Sequence, residues 1–244
     1  MTVTIEQTGV FKSLAAIARV LHVVVVVDKS GSMTGAPIGQ ANYGGKEFAA
    51  GVAVLQKKYP NVKIRIRVVA FSSDVEWVTD WVDAEKFRWV DISTDGGTEF
   101  GKLINALRQE MITKNLGTAG LQPHVIVLTD GKPNDEYKTP LKQFVASQPW
   151  GAASIRSAIA CGAHCDTNVL KEWIGESGGI LAEVDSSGDL AQTLTLLALS
   201  AVEHGSASPS KLDGTPMQLQ EVFDEKVADN EAKEAEGNDI ASHI

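Results

Sequence analysis

The stretch Leu21–Val27 reads LHVVVVV and runs straight into Asp28-Lys29-Ser30-Gly31-Ser32. An apolar run with no polar alternation suits a strand covered on both faces, as in a parallel sheet; a strand with one wet face would alternate. A second such run, HVIVLT at His124–Thr129, leads into Asp130-Gly131. Between them, Pro37 stands where a first helical turn begins and predicts a helix over Ile38–Lys58, although Gly44, Gly45 and Gly51 lower its intrinsic propensity. Val62–Ser72 alternates basic and apolar residues before turning wholly apolar, as a strand does when it starts near a sheet edge and ends inside. Val75–Val82 predicts a short edge strand. Thr98–Lys114 predicts a helix with Phe100, Leu103, Ile104, Leu107 and Met111 on one face. Ser154–Ala160 and Ile180–Val184 are further strand candidates, followed by helices at Thr167–Glu176 and Leu190–Val202. Strands that alternate with helices predict an α/β fold built on a doubly wound, mostly parallel sheet.

The composition bounds the function. With 244 residues, 43% of them apolar, the chain suits one large α/β domain with a full core. From Gly205 the character changes: Gly205–Gly214 is rich in Ser, Gly and Pro, and Glu221–Asp239 holds eight acidic residues against two lysines. The expected division is a domain over 1–204 and a linker with an acidic tail over 205–244, the tail being flexible or a single solvated helix. A formal net charge of −9 without clustered Lys and Arg argues against a nucleic-acid partner. Two cysteines, Cys161 and Cys165, are too few for a disulfide-held secreted fold and fit a reducing compartment. Met1–Gln7 carries Glu6 and no basic residue, unlike a secretion signal, and Leu14–Val27 holds Arg19 and His22 and is too short to span a bilayer. A cytoplasmic protein with no membrane partner is the expectation.

In open α/β sheets, ligands bind at the carboxyl ends of the strands. Asp28-Lys29-Ser30-Gly31-Ser32 and Thr129-Asp130-Gly131 each follow a buried strand, and Asp95-Gly96-Gly97-Thr98 opens a helix. Asp28 and Asp130 are therefore expected at one rim, with the hydroxyls of Ser30, Ser32 and Thr98 beside them. All five present hard oxygen atoms, which favours Mg²⁺ and leaves Mn²⁺ and Ca²⁺ open. Hydroxyl ligands under-compensate the ion's charge, so it retains affinity for a carboxylate of another molecule. Gly31, Gly96, Gly97 and Gly131 permit tight turns, Gly97 and Gly131 directly behind the ligands. Taken singly, Asp28 or Asp130 reads equally well as a cap or turn residue; the set of five points to a cation. Asp95 reads as a support behind the ligands or as a plain turn aspartate.

DKSGSM at 28–33, GGT at 96–98 and TDG at 129–131 resemble the metal-ion-dependent adhesion site of von Willebrand factor A domains, with every motif position filled in the family's order. The resemblance covers roughly Val20–Val202. It implies a Rossmann-like, mostly parallel sheet with one short antiparallel edge strand, flanked by helices, and metal-bridged binding to an Asp or Glu of a protein partner. By that match Ser30, Ser32 and Thr98 ligate directly and Asp28 and Asp130 directly or through water, while Met33 and Lys132 become candidate partner contacts. Within the family, SGSMTGAPI, GGTEFGKLINAL, LTDGKPND and IACGAHCDTNVLKEW look like bacterial stand-alone domains of the tellurite-resistance TerY type. That likeness implies a stress-response or defence assembly with a Ser/Thr-kinase-like protein and a PP2C-type phosphatase. The Gly-rich stretch Ala41–Gly51 and the acidic tail fall outside it.

Other features carry two readings each. Cys161, His164 and Cys165 (CGAHC) offer three soft ligands where a closed zinc site needs four; the plainer reading is a strand end with a buried Cys161. Trp77 and Trp81 share a face of an extended segment and are candidate partner contacts, but with Trp89 they also suit the seal of a sheet edge. The acidic tail reads as solubilising, or as a ligand in cis that fills the metal's open position. A Mg²⁺-dependent phosphohydrolase would want a second aspartate two residues after the first, where Ser30 stands, and no GxGxxG follows Val27. His22 and His124 read as structural. An interaction module is thus expected, not an enzyme; the further alternative is a subunit that serves a separate AAA+ ATPase, as in metal chelatases.

Overall fold

The computed structural model describes residues 19–117, 120–130, 132–161, 165–184 and 187–206, the last helix with side chains over 189–202. The predicted unbroken strand is β1 (Arg19–Asp28), buried continuously from Leu21 to Asp28. It pairs in parallel with β2 (Val62–Phe71) on one side and β5 (His124–Thr129) on the other. β6 (Ile155–Cys161) and β7 (Leu181–Val184) extend the parallel sheet beyond β5. At the opposite edge the expected single strand is split into β3 (Val75–Trp77) and β4 (Val82–Asp83), both antiparallel to β2. The amides of Val78 and Thr79 both reach the carbonyl of Val68, at 3.0 and 3.3 Å, while the Thr79 hydroxyl accepts the amide of Val68 at 2.9 Å. Two residues that face one make a bulge, which turns the edge and interrupts the pairing between β3 and β4. The strand order β3-β2-β1-β5-β6-β7 is that of the expected doubly wound, mostly parallel α/β sheet with an antiparallel edge.

Successive residues of one all-apolar strand feed two cores. Val23, Val25 and Val27 face α1 (Ala36–Lys58) and α7 (Ser187–Ser206). Val24 and Val26 face α2 (Phe100–Glu110), α4 (Lys138–Ala146) and α6 (Thr167–Ile174). Each wholly buried Val contributes about 1.5–3 kcal/mol, so a polar residue anywhere in the run would damage one core or the other. The glycines that weaken α1 as an isolated helix are contact sites. A Cβ at Gly45 would sit 2.1 Å from the Trp89 ring, and one at Gly44 would meet Leu190 of α7 at 3.0 Å. Close approach offsets poor propensity.

The helix predicted over Thr98–Lys114 ends earlier. α2 stops at Glu110, and Asn115 turns back to donate to the Glu110 carbonyl at 3.0 Å as the short α3 (Thr113–Leu116) begins. α4 and the short α5 (Trp150–Ala153) had no counterpart among the expected elements; Pro140 lies in the first turn of α4 and Phe144 is its one fully buried residue, so its apolar period is weak. α7 continues to Ser206, two residues past the expected domain end. The acidic tail lies outside the described residues. Among those described, no helix is long and apolar enough to cross a membrane.

Candidate metal centre

The chain leaves β1 for β2 on one side and returns through β5 on the other, so the strand order reverses between β1 and β5. Crevices at such a reversal are where open α/β sheets hold ligands. Asp28 closes β1 there, in register with Phe71 of β2. Its side chain is wholly buried. One carboxylate oxygen accepts the Ser30 amide at 2.8 Å and the other the Thr129 hydroxyl at 2.5 Å. The hydroxyls of Ser30 and Ser32 lie 3.0 Å apart, and Ser32 donates to Asp130 at 2.8 Å. Four of the five sequence-predicted ligands, Asp28, Ser30, Ser32 and Asp130, thus lie along one continuous rim.

The fifth, Thr98, is brought to that rim by the backbone. The Gly31 amide donates to the Gly96 carbonyl at 3.0 Å, and the Asp95 amide to the Lys29 carbonyl at 2.7 Å. Thr98 itself is buried, its amide bound by the Asn134 side chain at 2.6 Å and its carbonyl by the Asn134 amide at 2.8 Å. Asp135 then accepts the amides of Gly101 and Lys102 at 2.9 and 3.0 Å, which caps the first turn of α2 from a distant loop. Asn134 and Asp135 were not singled out in the sequence. The signal was there, four and five residues after Asp130 in LTDGKPND, but nothing local says that they cap another segment.

Charge distinguishes this place. Among the described residues no ion pair reaches Asp28 or Asp130. Lys29, the nearest cation in sequence, turns away to Asp95 at 3.1 Å and Glu76 at 3.3 Å. Burial pushes the Asp28 carboxyl above its ordinary range and the Asp130 charge adds to that, against the pull of the Ser30 and Thr129 hydrogen bonds. Asp95 is exposed. Ser72 donates to it at 2.5 Å and, with Lys29, holds its carboxyl below the usual range; it fixes the loop and makes no direct bond to the ligand set. Gly97 gives its amide to the Ser73 hydroxyl at 2.9 Å. Gly96 adopts φ +62°, which a side chain would strain. Gly131 lies outside the described residues.

The outer candidates divide. Met33 is wholly buried, because the 3-10 turn Gly31–Met33 rolls it inward; as a partner contact it is corrected. Lys132 is exposed, 4.0 Å from Asp166. Trp77 and Trp81 are half-buried against the α2-side core. Arg67 lies over the Trp77 ring at 4.1 Å, and the Trp81 indole donates to Glu110 at 2.7 Å, so both are committed to sealing the edge. His22 packs edge-on to Trp81, and His124 meets the Ser157 hydroxyl at 2.7 Å. Cys161 lies in one core and Cys165 packs against the other. Burial pushes their thiols up to about 12 and about 11, which opposes the thiolates a zinc site needs. His164 lies outside the described residues.

The donor set at the rim, two carboxylates and three hydroxyls, fits a hard divalent cation. Among the described residues no group of three or more His, Cys, Asp and Glu is assembled for a softer one. No curated protein sequence matches this one. Solved structures share its fold. The ArnB paralog VWA2 of Sulfolobus acidocaldarius is 19% identical over 72% of this chain and 44% of its own, with a TM-score of 0.56. A von Willebrand factor type A protein of Catenulispora acidiphila is 18% identical over 75% and 43%, with a TM-score of 0.58. Proximal thread matrix protein 1 of the mussel byssus, in a form with a zinc-occupied MIDAS motif, is 20% identical over 75% and 48%, with a TM-score of 0.55. The chain spans less than half the length of each of these three. The sequence model of the von Willebrand factor type A domain matches residues 22–194, and the chain belongs to that family.

Proposed function

We propose that Asp28, Ser30, Ser32, Thr98 and Asp130 hold a divalent cation, Mg²⁺ in the first place, and that the cation recruits a protein partner through an Asp or Glu. The observation that carries this is a wholly buried Asp28 beside Asp130, with neutral hydrogen-bond donors and, among the described residues, no ion pair to a protein cation. A buried carboxylate without a counter-charge is unfavourable, and a hard cation at the rim would relieve it. When bound, the ion supplies a Lewis-acidic position that a partner's carboxylate can fill. The zinc-occupied motif of the byssus protein supports a divalent ion at this place; oxygen ligation and cellular abundance favour Mg²⁺. The reading is of an interaction module and not of an enzyme. Both oxygens of Asp28 are engaged by Ser30 and Thr129, so the carboxylate is not presented as a nucleophile. The assembly it serves is a bacterial cytoplasmic stress-response or defence complex, with a kinase-like protein or a phosphatase as partner; the motif likeness to TerY-type domains supports this.

The test is titration calorimetry with Mg²⁺ and Mn²⁺ on the wild type and on an Asp28→Ala, Ser30→Ala double variant. Saturable binding that disappears in the variant is the expected result. Equal binding to both proteins would place the cation elsewhere and overturn the assignment.

A further inference from the structure

Apart from the metal rim, the outer side of α1 and the segment after β4 enclose a groove of about 430 Å³. Ala50 and Ala53 give it an apolar floor over the buried Ala49 and Phe87, and Lys46, Lys57 and Arg88 line its walls against one carboxylate, Glu85. Lys46 also pairs with Asp91 at 2.8 Å. Val54, on α1 between the two lysines, is 66% exposed. Three cations around an apolar floor are unusual company in a chain of net charge −9. Such a surface suits an acidic segment with apolar residues spaced along it.

The chain carries a segment of that chemistry. α1 and α7 run in the same direction, since Gly44 meets Leu190 and Gly51 meets Thr195. The end of α7 at Ser206 therefore lies toward the Lys57 end of α1. Residues 207–220 span up to ~45 Å when extended, more than the roughly 35 Å of a 23-residue helix such as α1. Beyond them, Glu221–Asp239 sets eight acidic residues against two lysines, with Val222, Phe223 and Val227 among them.

We propose that Glu221–Asp239 docks in cis in this groove, its carboxylates against Lys46, Lys57 and Arg88 and its apolar residues against Ala50 and Ala53. A tether of this length holds the segment at an effective concentration in the millimolar range, so individually weak contacts suffice. The proposal does not depend on the metal.

The test is amide NMR on the full chain, compared with a variant carrying Glu221→Gln, Asp224→Asn, Glu225→Gln and Asp229→Asn. Expected are shift changes over Ala49–Lys57 and Glu85–Arg88, with Ser30 and Thr98 unmoved, and their attenuation by salt. A Lys57→Glu, Arg88→Glu variant should in turn raise the mobility of the tail amides without moving the core. Changes confined to the tail itself would overturn the proposal. So would changes centred on Ser30 and Thr98, which would put the tail at the metal rim, and so would changes that fade on dilution, which would mean the tail of a second copy.

Discussion

Two buried carboxylates in this molecule have opposite surroundings. Glu110, at the end of α2, is met by the Arg67 guanidinium at 2.5 Å, by the Trp81 indole at 2.7 Å and by the Asn115 amide at 3.2 Å. Its charge is balanced by the protein, and the group locks α2 to β2 and the sheet edge. Asp28, at the end of β1, has an amide and a hydroxyl for company, with Asp130 adding to the negative charge nearby. The protein solves the first burial with its own cation. At the second, no cation among the described residues balances the charge, at the crevice where such folds take ligands. A carboxylate with its counter-ion in place is structural; one without is where the proposed cation would bind.

Removing each acid should break this symmetry in opposite senses. Glu110→Gln removes the closer of two carboxylates at the half-buried Arg67, the exposed Asp80 lying 3.8 Å away, and should cost about 3 kcal/mol in urea unfolding, with Mg²⁺ binding intact. A loss below ~1 kcal/mol would deny Glu110 its locking role. The same edge should respond to pH. Burial first, and then the Arg65 charge, lowers His22 to about 4. The folded state therefore refuses a proton that the unfolded chain accepts near 6.5: the contribution is complete above 6.5 and is lost as pH falls toward 4, by up to ~3 kcal/mol. Chemical denaturation across that window should show the fall in wild type and a flatter profile in His22→Gln.

Asp28→Asn should go the other way. Because the folded protein holds the Asp28 carboxyl above its ordinary range, the ionised form subtracts stability at neutral pH, and Asn removes that charge while still accepting from Ser30. The metal-free Tm should rise by about 2–4 °C, equivalent to about 1 kcal/mol in a chain of this size, and Mg²⁺ should no longer raise it further. A clear drop in metal-free Tm would mean that Asp28 is a structural acid like Glu110. The smallest effect belongs to Asp95→Asn, under ~0.5 kcal/mol by thermal melt, since the residue is exposed and Lys29 retains Glu76.

Much of this was legible from local pattern. The unalternating valines of β1 announced a strand covered on both faces, and five hard-oxygen residues after the right elements announced the rim. What failed failed where distant segments meet. Met33 looked available to a partner because it sits beside Ser32, yet the turn buries it. Trp77 and Trp81 read as a recognition surface or as the seal of a sheet edge, and only the contacts with Arg67 and Glu110 favour the seal. The helix expected over Ile38–Lys58 forms as α1 despite its glycines, whose contacts with Trp89 and Leu190 are visible only after folding.

By itself, the sequence determined the five parallel strands and the helices α1, α2, α6 and α7, the covering of both sheet faces and the donor atoms of the candidate centre, because strand periodicity and ligand chemistry are properties of short segments. The tertiary structure alone decided which loop caps which helix, through Asn134 and Asp135 on the Thr98 segment, and which buried acid received a cation, because sheet register and helix packing bring together residues whose separation along the chain carries no record of the meeting.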